Sequence, residues 1–318
     1  MQVIHYLIRS LIFCAIAQLT LASTARGDLL VSSRLGNHVL RYSDSSAPLG
    51  QFEIGGGLQT PNGVLLGPDG MIYLSSRDGH QVLRYFVGGQ FDRVFASGPE
   101  MVGPSGIVFG PEGDLYVANS LAQNVGRYDR VTGALVRTYG SSAELNAPVG
   151  VEFGLDGDLY VTSAVNNRLL RYDRATGALG GILVQGGLLS NPADMKRGAD
   201  GRLYIASALQ NRIAVYDTTT SSLSSFVQDS TLMSPVGLAF GPAGDLFVAS
   251  FNGDKVVRIN FAAQSIIGDY IAPGSGGLDG AQFLTFIPEP GALLIAAVPA
   301  ALRCARRHNR FLRSTRPF

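Results

Sequence analysis

A four-residue strand signature recurs along the chain at an almost constant interval. It reads Asp28-Leu29-Leu30-Val31, Met71-Ile72-Tyr73-Leu74, Asp114-Leu115-Tyr116-Val117, Asp158-Leu159-Tyr160-Val161, Arg202-Leu203-Tyr204-Ile205 and Asp245-Leu246-Phe247-Val248, each copy 43 or 44 residues after the last. A second signature keeps the same interval: Arg41-Tyr42, Arg84-Tyr85, Arg127-Tyr128, Arg171-Tyr172, Val215-Tyr216 and Arg258-Ile259. A repeat of this length must be a supersecondary unit that buries its apolar face against its neighbours. No helical periodicity appears within it, which excludes an α-solenoid.

Turn chemistry divides each unit into short strands. Gly67-Pro68-Asp69-Gly70, Gly110-Pro111-Glu112-Gly113, Asp156-Gly157 and Gly241-Pro242-Ala243-Gly244 supply Pro to preset φ and Gly to take positive φ. Asp129 to Gly133 and Asp173 to Gly177 mark a later hairpin, which makes four antiparallel strands per unit, the blade of a propeller. The 40 glycines and the low charged content of 15% suit such a turn-rich fold.

Five innermost strands open on a Pro-x-Gly-like start, at Pro61, Pro104, Pro148, Pro192 and Pro235. The unit beginning at Asp28 lacks one, while Leu278-Asp279-Gly280-Ala281-Gln282-Phe283 lies 43 residues after Pro235 with no blade behind it. The sequence therefore predicts an all-β, six-bladed β-propeller over 28–287, its ring closed by the C-terminal strand completing the N-terminal blade, which removes exposed sheet edges. That region carries 17 Lys and Arg against 23 Asp and Glu and has no cysteine. Nucleic acid is excluded as a partner by the acidic balance, and a disulfide framework by the cysteine count.

The ends read as targeting segments. Residues 1–27 combine a short polar start with Arg9, an apolar run from Ser10 to Ala22 and small residues up to Ala25, the pattern of a signal peptide. Residues 288–318 place Pro288-Glu289-Pro290, an apolar stretch from Gly291 to Leu302 and an Arg-rich end with Arg303, Arg306 and Arg307 in that order. This order resembles the PEP-CTERM sorting tail. The resemblance implies exosortase and the export machinery as partners and a transient membrane contact halted by the arginines. It also implies a location in the periplasm, at the cell surface or in the extracellular matrix of a Gram-negative-type bacterium.

The repeat itself resembles the NHL family, whose unit runs Pro-x-Gly-apolar, Asp-Gly-x-Leu-Tyr-Val and Asn-x-Arg-Ile-x-x-Tyr; Asn211 to Tyr216 follows the last element. The acid that usually follows the Tyr strand is replaced by Ser33, Ser76, Asn119, Ser163, Ser207 and Ser250. More loosely the chain is similar to gluconolactonase-like (SMP-30) and streptogramin lyase-like propellers. The fold is shared by binding modules and enzymes, so function rests on the site.

The starts of the inner strands line the axial mouth of a propeller. There the sequence aligns Asn62, Ser105, Val149, Ala193, Val236 and Asp279, with Asp194 one residue further on. Asn62, Ser105, Asp194 and Asp279 are thus the axial-mouth candidates, and no catalytic residue is assigned. Oxygen ligands from Asp279, Asn62 and Asp194 would suit Ca²⁺ or another divalent cation, as the gluconolactonase resemblance implies, although no Glu joins them. Polar residues capping a solvated channel account for the same ring without a metal, and the sequence assigns no firm cofactor. Glu152 and Lys196 occupy equivalent places in successive inner strands and are expected to pair between blades. His38 and His80 read as exposed loop residues. The reading that follows is an exported, noncatalytic binding or matrix protein presenting loops or axial mouth to a glycan, peptide or protein. The alternatives are a secreted metal-dependent hydrolase or lactonase and a streptogramin-lyase-like enzyme.

Overall fold

The computed structural model describes residues 27–288, and within them the six-bladed propeller is present as expected. Blade 1 pairs Ala281–Pro288 with Gly27–Ser33, His38–Tyr42 and Pro48–Gln51. Blades 2 to 6 are continuous in sequence and open on the inner strands Pro61–Leu66, Pro104–Phe109, Pro148–Phe153, Pro192–Arg197 and Pro235–Phe240. Each inner strand packs on the next, and Ala281–Pro288 touches both Pro235–Phe240 and Pro61–Leu66, so the ring is closed. The signal-peptide pattern, up to residue 26, and the tail from Glu289 onward, including Pro290, Arg303, Arg306 and Arg307, lie outside the described residues. Pro288 lies inside them, opposite Gly27 as the last pair of the closing ladder.

The repeated residues prove to be framework. The second strand of each blade is buried along its whole length, as its near-continuous apolar run requires. Its Tyr reaches back to the preceding turn: Tyr73, Tyr160 and Tyr204 donate to Asp69, Asp156 and Asp200, and Tyr116 donates to Glu112. The Arg of the third strand pairs with the Asp opening the second, as in Arg41–Asp28, Arg127–Asp114 and Arg258–Asp245. Blade 2 has Met71 in place of that Asp, and Arg84 turns to Asp92 on the outer strand. Arg-Tyr recurrence is thus intrablade ion pairing and tyrosine burial.

The serines that stand where an acid was expected have their own work. Ser76 Oγ accepts from Gln59 N–H and donates to Gln59 C=O, pinning the loop two residues before the inner strand. Ser163 does the same for Asn146, Ser207 for Ser190 and Ser33 for Asp279. Asp279 is therefore the counterpart of Gln59, not of Asn62.

That equivalence corrects the alignment of the sixth inner strand by three residues. Ser33 faces Ala281 as Ser76 faces Pro61, so Ala281 stands where the other blades have proline and Gln282 takes the mouth position. The cause is the longer approach from the last outer strand, which includes a 3₁₀ turn at Ser275–Gly277. Leu278-Asp279-Gly280 mimics the Pro-x-Gly opening at the repeat interval, but it belongs to the connecting loop.

Candidate axial-mouth site

Every inner strand is irregular at its start. Between Pro61 and Val64 the ladder inserts one extra residue against Ser76 and Leu74, and the same step recurs in blades 3 to 6. A bulge of this kind re-aims the side chains that follow it. It lets a strand whose Val64, Ile107, Val151, Met195 and Leu238 are buried between blades also turn Asn62, Ser105, Val149, Ala193 and Val236 toward the axis. With Gln282 these residues line a cavity of about 390 Å³ at the mouth.

Hairpins between the second and third strands build the rim. Arg34, Arg77, Ser120, Ala164, Ala208 and Phe251 are equivalent by repeat, and all six line the cavity. The next residue outward is exposed and apolar in four blades: Leu35, Leu121, Val165 and Leu209. The lining is lopsided. At the equivalent ring and rim positions blades 1 to 3 contribute Gln282, Asn62, Ser105, Arg34, Arg77 and Ser120, whereas Val149, Ala193, Val236, Ala164, Ala208 and Phe251 come from blades 4 to 6, beside which Asn191, Ser234 and Asn252 also reach the cavity.

Close approach of the inner strands sets one further rule. A Cβ at Gly63, Gly106, Gly150 or Gly237 would collide with the backbone carbonyl of the neighbouring inner strand, which explains the Gly of Pro-x-Gly. In blades 2 and 4 this Gly N–H bonds the hydroxyl of Ser75 or Thr162, and that hydroxyl bonds onward to Ser105 C=O or Ala193 C=O of the next blade. Ser32 likewise accepts from Phe283 N–H and donates to Asn62 C=O.

Asp194 replaces that Gly in blade 5 and is fully engaged there. Its Oδ1 accepts from Met195 N–H at 2.9 Å and lies 3.3 Å from Lys196 Nζ, and its Oδ2 accepts from Leu238 N–H in blade 6 at 3.1 Å. The expected pairing of Glu152 with Lys196 thus takes another form. The direct ion pair of Lys196 is with Asp194 on its own strand, and Glu152 in blade 4 acts on both only through space. Burial raises the carboxyls of Asp194 and Glu152 above their ordinary values against the pull of Lys196. The two acids in turn hold the Lys196 ammonium above its own value.

The cation set expected from the sequence is therefore not brought together. Asn62 lines the mouth and Ser105 lies beside it, but Asp279 is exposed and does not line the cavity, and the Asp194 oxygens are occupied. Among the described residues no three His, Cys, Asp or Glu side chains cluster as metal ligands would. The residues present do not fit a gluconolactonase-like cation.

Sequence reasoning missed a second lock around the mouth. Asn37, His80, Asn167, Asn211 and Asp254 each hold positive φ in the rim hairpin, a conformation that Asn, Asp and His tolerate best. Their side chains accept from the N–H of Thr60, Gly103, Asn191, Ser234 and Gly280 of the following blade. His80 Nδ1 thus does what an Asn carboxamide oxygen does elsewhere, and its counterpart in blade 1 is Asn37 rather than His38. The repeat interval was the signal that could have found it.

The fold and the site together define a six-bladed propeller whose axial mouth mixes polar and apolar groups. The chain belongs to the virginiamycin B lyase family, whose description matches residues 47–275. The sequence matches no curated protein. Among solved structures it is similar to a catalytically inactive His-to-Ala variant of virginiamycin B lyase from Staphylococcus aureus with quinupristin, at 17% identity and a TM-score of 0.60, covering 85% of this chain and 94% of that one. A structure from a nidogen/laminin complex gives a TM-score of 0.68 at 14% identity, with 81% and 97% covered. Kuenenia stuttgartiensis hydrazine synthase gives 0.61 at 16%, with 84% and 94% covered. At these identities the structural likeness is one of fold. The streptogramin lyase resemblance drawn from the repeats is the one that the family match carries.

Proposed function

We propose that this chain is a noncatalytic binding protein that takes a small peptide-like ligand in the axial mouth. The observation that carries the reading is the mouth itself: amides, hydroxyls, two guanidiniums and aliphatic groups line it, a set that recognises and orients but moves no proton at neutral pH. The S. aureus relative loses catalysis when a histidine becomes alanine. In this chain the histidines among the described residues are His38 and His80, which do not line the cavity, and His80 holds the next blade.

The same reading includes export and sorting of the propeller to the cell envelope, on the signal-peptide and PEP-CTERM-like patterns. One feature of the fold supports presentation of the mouth. Each inner strand runs from the mouth to the opposite face, so Pro288, paired with Gly27, ends on the side away from the ligand site.

Two experiments test this. Quinupristin incubated with the full chain is expected to be recovered with unchanged chromatographic retention and fragmentation; a ring-opened isomer whose yield scales with protein would establish the rival, a lyase. For the site, Ala193→Trp, which fills the mouth, is expected to abolish ligand binding without changing the circular dichroism spectrum, and ligand binding that survives it would place the site elsewhere.

A further inference from the structure

Two buried acceptors in the mouth have no partner: Asn62 Oδ1 and Gln282 Oε1. The residues are 3% and 6% exposed, and both side chains line the cavity. An unpaired buried polar atom is costly, so such a pair is conspicuous in a fold that ties its mouth loops with serine and asparagine locks. Two guanidiniums, of Arg34 and Arg77, line the same cavity. Arg77 has Asp78 at 2.8 Å, whereas Arg34 has no ion-pair partner among the described residues. Its guanidinium lies over the Phe251 ring, 6.0 Å from the centroid, and burial and the like charge of Arg77 push it below its ordinary value against the weaker pull of Asp78.

The opposite side of the cavity is mainly apolar at the ring, with Val149, Ala193 and Val236 there and Val165 on the rim, while Asn191, Ser234 and Asn252 add polar groups at its edge. A ligand that fits must carry an anion, hydrogen-bonding groups next to it and an apolar body, all on the scale of a 390 Å³ site. A fatty acid lacks the hydrogen-bond donors, and a sugar phosphate lacks the apolar body. A peptide group carries both a donor and an acceptor, so it matches a carboxamide in either orientation of that side chain.

We propose, resting on the mouth as the binding site, that the ligand is the C-terminal end of a short apolar peptide. Its free carboxylate meets Arg34, its last peptide groups meet Asn62 and Gln282, and its side chains lie over blades 4 to 6. Arg77, already paired with Asp78, contributes field rather than contact.

Calorimetric titration of the full chain with N-acetyl-leucyl-leucine and with the corresponding C-terminal amide tests this. The acid is expected to bind roughly tenfold or more tighter than the amide, the difference a charge-assisted guanidinium–carboxylate contact makes. Arg34→Gln is expected to erase that difference, and Val149→Asn to weaken acid and amide alike. Equal affinities, a preference that survives Arg34→Gln, or no binding of either peptide would each overturn the carboxylate assignment. If both bind equally and Ala193→Trp abolishes both, the mouth stands and the carboxylate falls; if Ala193→Trp leaves binding intact, the mouth itself falls.

Discussion

Side chains at the mouth that look chemical in the sequence turn out to be divided between ligand and scaffold. His80 belongs to the scaffold: in the positive-φ slot it needs only an acceptor, which Asn provides in three other blades. His80→Asn is accordingly expected to stay within about 0.5 kcal/mol of the parent in urea denaturation, while His80→Ala, which strands the Gly103 N–H, loses roughly 1–2 kcal/mol. Equal losses in both variants would deny the lock. Glu152 gives a pH test with a definite sign. Its carboxyl is raised by burial, so the folded chain holds that proton more tightly than the unfolded chain does. Stability is therefore lost as pH climbs from the ordinary carboxylate range through the raised value, and the full cost is present above it. Glu152→Gln should melt higher than the parent at pH 8, with the gap closing as pH falls through the carboxylate range. A lower melting temperature at pH 8 would restore the direct ion pair with Lys196.

Strands and turns were legible because repetition turns a weak local pattern into a strong one: six copies of a Leu-Tyr-Val-like strand exclude helix where one copy would not. The inner strand of blade 1 was misaligned for a physical reason. Where the chain closes the ring it takes a longer path through Ser275–Gly277 and opens on Ala281-Gln282-Phe283 instead of Pro-x-Gly. Register discriminates the two alignments: Leu284 faces Val31 as Val64 faces Leu74, so Leu284, not Ala281, continues the apolar series of Val64, Ile107, Val151, Met195 and Leu238. The acceptors of the asparagine locks recur at the repeat interval, but their partners leave no trace in the sequence because a backbone N–H can belong to any residue type. Two substitutions probe the contacts between blades. Gly237→Ala puts a methyl against Gln282 C=O and is expected to cost roughly 1–3 kcal/mol. Ser75→Ala leaves Gly63 N–H and Ser105 C=O unpaired and should cost about 1–2 kcal/mol by chemical denaturation, and a neutral result would deny the stitch.

For the whole molecule, closure and the mouth are one claim. Gln282 reaches the cavity only because Ala281–Pro288 lies against Gly27–Ser33, so losing that strand removes a mouth residue along with the inner strand of blade 1. A chain ending at Gly280 is expected to lose its cooperative thermal transition, and a sharp transition at the parent temperature would show that the ring closes without it. The central claim is most directly tested by a crystal structure of the full chain grown with N-acetyl-leucyl-leucine. Density in the axial mouth, with the carboxylate at Arg34 and a peptide group between Asn62 and Gln282, is the predicted result. An empty mouth, or a peptide seated on any other face, would contradict it.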